Sequence, residues 1–311
     1  MLTRRMLTAG LGVWAAAPAA ALARAVAPDE APIDIATGFD PRLRMIGKAW
    51  VEDSGPRPFV VDTGATHSVI ARELAEELGL QPGEPVDLHG IAGVERVDTA
   101  RVSRFAVGGI VTRDIEMPVL AGRRLGADGL IGLNALGGRT VEMDFRRRRL
   151  RLYRSRPRPY QGSRLTRDSN RPGAIVPARY RNGQLTLVTA RAGGAPVTAV
   201  LDSGSQATVG NSALKRLART RKLSLTQEEL RAPIFSVTSQ TAYGEFAVLR
   251  SLSMGEHALV NLPVIFSDLH AFRIWGLEDT PAVLIGADTL ALFTSITFDF
   301  GRGEVVFNAS A

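Results

Sequence analysis

One pattern occurs twice in this chain, in the same order, and that repeat limits the fold more than any other feature. The first copy runs Phe59-Val60-Val61-Asp62-Thr63-Gly64-Ala65 and the second Ala199-Val200-Leu201-Asp202-Ser203-Gly204-Ser205. In each, apolar residues run into an aspartate, a hydroxyl residue and a glycine. A helical pattern follows, over Ala71 to Leu78 in one copy and Ser212 to Leu223 in the other. Further on, Asp128-Gly129-Leu130-Ile131-Gly132-Leu133-Asn134 answers Val283-Leu284-Ile285-Gly286-Ala287-Asp288. A closing strand ends each copy, Val141 to Phe145 and Ile296 to Phe300. A long internal repeat of this kind means two like structural units in one chain.

The rest of the pattern is strand-like. Short alternating apolar runs are separated by Gly, Pro, Asn or Asp. Asn182-Gly183 suits a tight hairpin turn, with a strand resuming at Leu185 to Val188. Many short strands with few helices imply an all-β protein of two barrels or sandwiches. From Asp62 to Gly132 is 132 − 62 = 70 residues, and from Asp202 to Gly286 is 286 − 202 = 84. The second copy therefore has longer loops, which we expect around Thr220 to Pro233.

These residues resemble the aspartic peptidase superfamily. Asp62 to Ala65 is similar to the retroviral form of the active-site loop, and Asp202 to Ser205 to the loop of a pepsin lobe. Leu130-Ile131-Gly132 and Leu284-Ile285-Gly286 resemble the family's second hallmark, a strand that passes beneath that loop. The likeness covers both halves and is closest to retropepsin-like periplasmic peptidases of bacteria. It implies two retropepsin-like acid-protease barrels in a pseudo-symmetric, bilobal arrangement. It also implies an aspartic endopeptidase that cuts polypeptides with Asp62 and Asp202 as the catalytic pair. No cofactor and no metal are needed. Thr63, Gly64, Ser203 and Gly204 would support the loops, the glycines through their N–H groups and the hydroxyls through bonds across the junction. Leu88 to Val94 stands where the family has a flap, so Gly90, Ile91, Ala92 and Gly93 are the candidate substrate-binding tip. Glycines there would permit positive φ and close approach to a ligand; an ordinary hairpin is the alternative reading. The comparable segment of the second half, Phe235 to Gln240, has no glycine, which argues against a second flap.

The chemistry suits paired carboxylates. Two of them about 3 Å apart can supply both the base that activates water and the acid that protonates the carbonyl oxygen. Like charges so close cannot both ionise, so one pKa falls and the other rises. Ala65 stands where pepsins commonly have Ser or Thr. The missing hydroxyl would remove a donor to the carboxylate, so we expect a working pH nearer neutral than that of gastric pepsins. A catalytically inactive peptide-binding protein on the same fold is the alternative function. Two complete half-sites favour a monomer with an intramolecular dyad over like halves pairing between chains.

Other chemistries find little support. Cysteine is absent, which excludes thiolate chemistry and disulfides. His67, His89, His257 and His270 show no metal-ligand spacing, and His67 reads as a surface residue at a helix start. Asp144 and Asp299 read as turn or surface carboxylates. The net charge of +7 includes the arginines between Arg146 and Arg164. We read Arg147 to Tyr153 as a strand with one solvated face, and the Pro-containing remainder as a linker, not a nucleic-acid site. Arg4-Arg5 followed by the apolar run Met6 to Ala23 has the order of an export signal, similar to the twin-arginine type. An uncleaved inner-membrane anchor is the alternative. The expected organisation is a signal over 1–27, a first lobe over 28–155, an Arg/Pro-rich linker over 156–172 and a second lobe over 173–311, exported to the periplasm or beyond.

Overall fold

The computed structural model describes residues 32–136, 139–154, 174–181, 185–221 and 223–309. The proposed signal (1–27), the linker (156–172) and the Asn182-Gly183 turn lie outside them.

Two closed six-stranded barrels carry the repeat. Going round the first, the strands are Met45–Val51, Ser54–Val61, Gly129–Ile131, Val69–Ala71, Ile110–Leu120 and Thr99–Val107, which pairs back with Met45–Val51. The second has the same order: Leu185–Ala192, Ala195–Leu201, Ala282–Ile285, Val209–Gly210, His257–Phe266 and Thr241–Met254, which pairs back with Leu185–Ala192. Closure removes the exposed strand edges that an open sheet would leave.

The two hallmarks of each copy are neighbours in the sheet. Leu130 and Ile131 lie parallel to Val60 and Val61, and Leu284 and Ile285 lie parallel to Val200 and Leu201. Strands buried on both faces read as continuous apolar runs rather than alternations. Phe59, Val60, Val61, Leu130 and Ile131 are accordingly all buried, as are Val200, Leu201, Leu284 and Ile285.

A third sheet joins the halves. Six antiparallel strands run in the order Ile33–Ala36, Arg149–Tyr153, Thr140–Asp144, Ser295–Asp299, Glu304–Asn308, Ala174–Arg181. The two closing strands meet at its centre, with Val141 opposite Phe298 and Met143 opposite Ile296. The alternation expected for Arg147 to Tyr153 is present, with Leu150 and Leu152 buried between exposed or half-buried arginines.

Several details differ from the sequence reading. The helix after the second Asp loop is only Ser212–Leu217, capped by the Asn211 side chain, which accepts from Leu214 N–H. Ala218 is extended, and Thr220–Arg221 pairs with Leu249 and Val248, so a sheet ladder ends the helical pattern early. The first helix, Arg72–Glu77, matches its expected span. The extra loop length is divided. The helices start 72 − 62 = 10 and 212 − 202 = 10 residues after each aspartate. The next hairpins start 86 − 62 = 24 and 231 − 202 = 29 residues on, a gain of 5. Most of the remainder lies beyond Phe266, around the helix His270–Ile274. Asp144 and Asp299 are turn residues but not surface ones. Both are buried, accepting from the N–H groups of Arg147 and Arg302 three residues on. His67 is exposed as expected, but it lies in the loop before the strand Val69–Ala71, not at a helix start.

Candidate active site

Asp62 follows the strand Ser54–Val61 and Asp202 the strand Ala195–Leu201. The parallel neighbour fixes each backbone: Asp62 N–H donates to Ile131 O and Asp202 N–H to Ile285 O, both at 3.0 Å. Each carboxylate then accepts two N–H bonds from its own loop. Asp62 Oδ1 receives Gly64 (2.9 Å) and Ala65 (3.0 Å); Asp202 Oδ1 receives Gly204 (2.9 Å) and Ser205 (3.0 Å). Both aspartates are only 7% exposed.

The loops interlock across the junction. Thr63 N–H donates to Ser203 Oγ (3.0 Å) and Ser203 N–H to Thr63 Oγ1 (3.1 Å). The hydroxyls in turn donate to Leu201 O (3.3 Å) and Val61 O (2.8 Å). This exchange brings the two carboxyl groups together, each lying against the glycine of the other's loop. A Cβ on Gly64 would lie 2.6 Å from Asp202 Cγ, and one on Gly204 would overlap the Asp62 carboxylate. Thr63→Val removes one hydroxyl donor and leaves the buried Ser203 N–H without an acceptor. We expect a loss of about 2 kcal/mol of stability, measured by urea unfolding; an unchanged midpoint would show that the interlock is energetically idle.

Burial raises the pKa of both carboxyl groups. For Asp202 the negative charge of Asp62 adds to it, pushing the group up to about 8. For Asp62, the N–H bonds from Gly64 and Ala65 and the positive charge of Arg44 pull the other way. Arg44 is itself buried, bound to Asp40 and to Leu125 O, both at 2.6 Å. The positive charge of Arg44 beside Asp62 biases the proton shared by the pair toward Asp202.

The hydroxyl that Ala65 lacks is not a carboxylate donor in the matching loop. Ser205, which keeps that hydroxyl, donates it to Ala207 O (3.1 Å), not to Asp202. Both carboxylates receive the same backbone donors, so the raised values stem from burial, to which the charge of Asp62 adds at Asp202.

A second clamp escaped the sequence reading. Ser68 N–H and Oγ both bond Asn134 Oδ1, at 2.8 and 2.9 Å, and Gly132 N–H donates to Ser68 Oγ. Thr208 does the same with Asp288, at 3.0 and 2.7 Å, and Gly286 N–H donates to Thr208 Oγ1. These clamps tie each Asp loop to the hallmark strand. Their signal was in the repeat: a hydroxyl residue six after each aspartate, and an amide or carboxylate two after each hallmark glycine.

Gly90, Ile91, Ala92 and Gly93 form the tip of a hairpin between Val86–His89 and Val94–Val97, closed by Gly90 N–H to Gly93 O at 2.8 Å. Neither glycine has positive φ. They are glycine because a second tip lies against them. A Cβ on Gly90 would collide with Ser236 and Thr238, and one on Gly93 would be 3.0 Å from the Gln240 side chain. Residues 236–240, set aside for want of glycine, are the tip of the hairpin between Arg231–Phe235 and Thr241–Met254. Gln240 Nε2 donates to Val94 O (2.8 Å) and Ser239 N–H to Glu95 Oε2 (2.5 Å). Burial raises the Glu95 pKa, but the Ser239 bond and Arg124 outweigh it and hold the carboxyl below its ordinary range. Ile91 packs into the second half's smaller apolar cluster, which includes Ile234 and Phe272.

Among the described residues, no group of three or more His, Cys, Asp or Glu is placed to hold a metal ion. No curated protein matches the chain in a sequence comparison. The aspartyl protease family model matches residues 47–135 and 188–289, one span in each half, each containing one Asp loop and its hallmark strand. The chain belongs to the aspartyl protease family.

Proposed function

We propose that this protein is an aspartic endopeptidase in which Asp62 and Asp202 activate water against a peptide bond. The observation that carries the reading is the pair of buried carboxyl groups, one from each half, each set against the other's glycine loop. Asp62, ionised, takes a proton from water as the oxygen attacks the carbonyl carbon. Asp202 gives its proton to the carbonyl oxygen. Collapse of the tetrahedral intermediate returns a proton to Asp202, and the proton on Asp62 passes to the leaving nitrogen. The hairpin tipped by Gly90 to Gly93 serves as a flap over an extended polypeptide, and residues 236–240 serve as its counterpart. The chain works as a monomer outside the cytoplasm, a reading supported by Arg4-Arg5 and the apolar run that follows.

Hydrolysis of unfolded casein, blocked by pepstatin, is the direct test. Its pH dependence is set by the dyad. Activity needs Asp62 ionised and Asp202 protonated, so kcat/KM falls as pH rises through about 8. It falls again on the acid side as Asp62 takes up a proton. Because the Asp62 pKa is raised above its ordinary 3.8, that acid limb lies above this value. A kcat/KM profile with its optimum below about pH 3.5 would contradict this assignment.

A further inference from the structure

The first hairpin touches the second half at one more place, and the residues there are titratable. His89, the last residue of the strand Val86–His89, meets His270, the first residue of the helix His270–Ile274. His89 Nδ1 and His270 Nε2 are 3.1 Å apart. The ring planes differ by 6° and the centroids are 5.4 Å apart. With the nitrogens so close and the centroids so far apart, the rings lie edge to edge in nearly one plane. That is the geometry of one N–H···N bond, not of face-to-face stacking. The next residue of the helix, Ala271, donates its N–H to Ile91 O at 3.2 Å. The helix thus holds the tip of the hairpin at a contact separate from the Ser236–Gln240 tip.

An N–H···N bond between imidazoles needs one nitrogen with a free lone pair. The pair tolerates one extra proton, because an imidazolium can donate to a neutral ring. It does not tolerate two, because both facing nitrogens then carry hydrogen and both rings carry charge. The surroundings offer no compensation. Among the described residues neither ring has a carboxylate partner. Arg273, one turn along the helix, adds positive charge to His270. On the hairpin, Asp87 is tied to Arg96 and Glu95 to Arg124, and Asp268, ahead of the helix, is tied to Ser212. The other tip, Ser236 to Gln240, carries no charge.

We propose that His270 is a positioning residue that latches the first hairpin through His89, and that a second proton on the pair releases it. Desolvation, His89 and Arg273 all lower the His270 pKa in the docked state. The sign follows from that. The docked state binds protons less readily than the open one, so docking is complete above the ordinary histidine pKa of ~6.5 and is lost as pH falls below it. The role given to release, admission of substrate, rests on reading the hairpin as a flap; the latch itself does not.

The absence of native cysteine allows a measurement that needs no activity. Val94 is 43% exposed on the hairpin, and Arg216 is exposed on the helix Ser212–Leu217. Val94→Cys and Arg216→Cys, spin-labelled in the full chain, report the distance from hairpin to second half. One short distance is expected at pH 7.5, with a longer population growing on acidification to pH 5. The open-to-closed ratio should rise about tenfold over that interval. His270→Gln can donate to a neutral His89 and accept from a charged one, so it should stay closed across the range; His89→Gln should do the same. An unchanged wild-type distance between pH 7.5 and 5 would overturn the latch, as would the same acid opening in both Gln variants. A working latch in a chain that cleaves no casein would instead retire the peptidase reading and leave the latch standing.

Discussion

Asp62→Asn and Asp202→Asn, made in separate chains, are each expected to lower casein hydrolysis by about 10³-fold or more. Each substitution removes one of the two proton carriers while keeping shape and much of the hydrogen bonding. Mixing the two variants should restore nothing if, as proposed, each chain supplies both carboxylates to its own dyad. Were the pair formed between chains, a mixed dimer would hold one intact site and activity would return. Stability offers an independent reading. Asp202 keeps its proton in the folded state up to about pH 8, but an unfolded Asp loses it near 3.9. The native state binds more protons in that interval, so its stability falls as pH rises from about 4 through 8. Asp202→Asn removes this term. In urea unfolding, the variant should gain on the wild type at pH 8 and show little difference at pH 4.

Gly204→Ala should cost about 10²-fold in kcat while the chain remains folded. The added methyl would occupy space held by the Asp62 carboxylate, which is fixed from behind by Gly64 and Ala65. That carboxylate must shift, and misplacement of a reacting group by about 1 Å is worth a factor of that size. Circular dichroism and the thermal midpoint would separate this from unfolding. A variant with full kcat would mean that the two loops have slack.

Much of this was legible because both copies obey the same local rules. Apolar strands buried on two faces, a glycine loop after each aspartate and a matching downstream strand gave the barrels and the facing carboxylates. What escaped was non-local. Nothing near Gly90 or Gly93 shows that a second tip lies against them, and that contact, not positive φ, explains the glycines. The hydroxyl of Ser205 turns to Ala207 O, a choice of rotamer and loop path that composition cannot reveal. Asp144 and Asp299 look like surface turn residues until the closing strands of the two halves pair and bury them. The helix after Asp202 is cut short by a pairing with residues nearly thirty positions away, which local periodicity does not register.

The Arg44 guanidinium has a meaning beyond its bonds. In the first barrel Ile46 pairs with Val60; in the second Leu187 pairs with Val200. Counting back two residues in each, Leu185 stands where the first half has Arg44. A homodimer obeys its own twofold axis, so any cation set beside one aspartate must be set beside the other, and the two must compete equally for one proton. A fused pair of halves is free of that constraint. Because they differ at this position, the two halves can present unequal fields to the two aspartates, as the proposed division into base and acid requires.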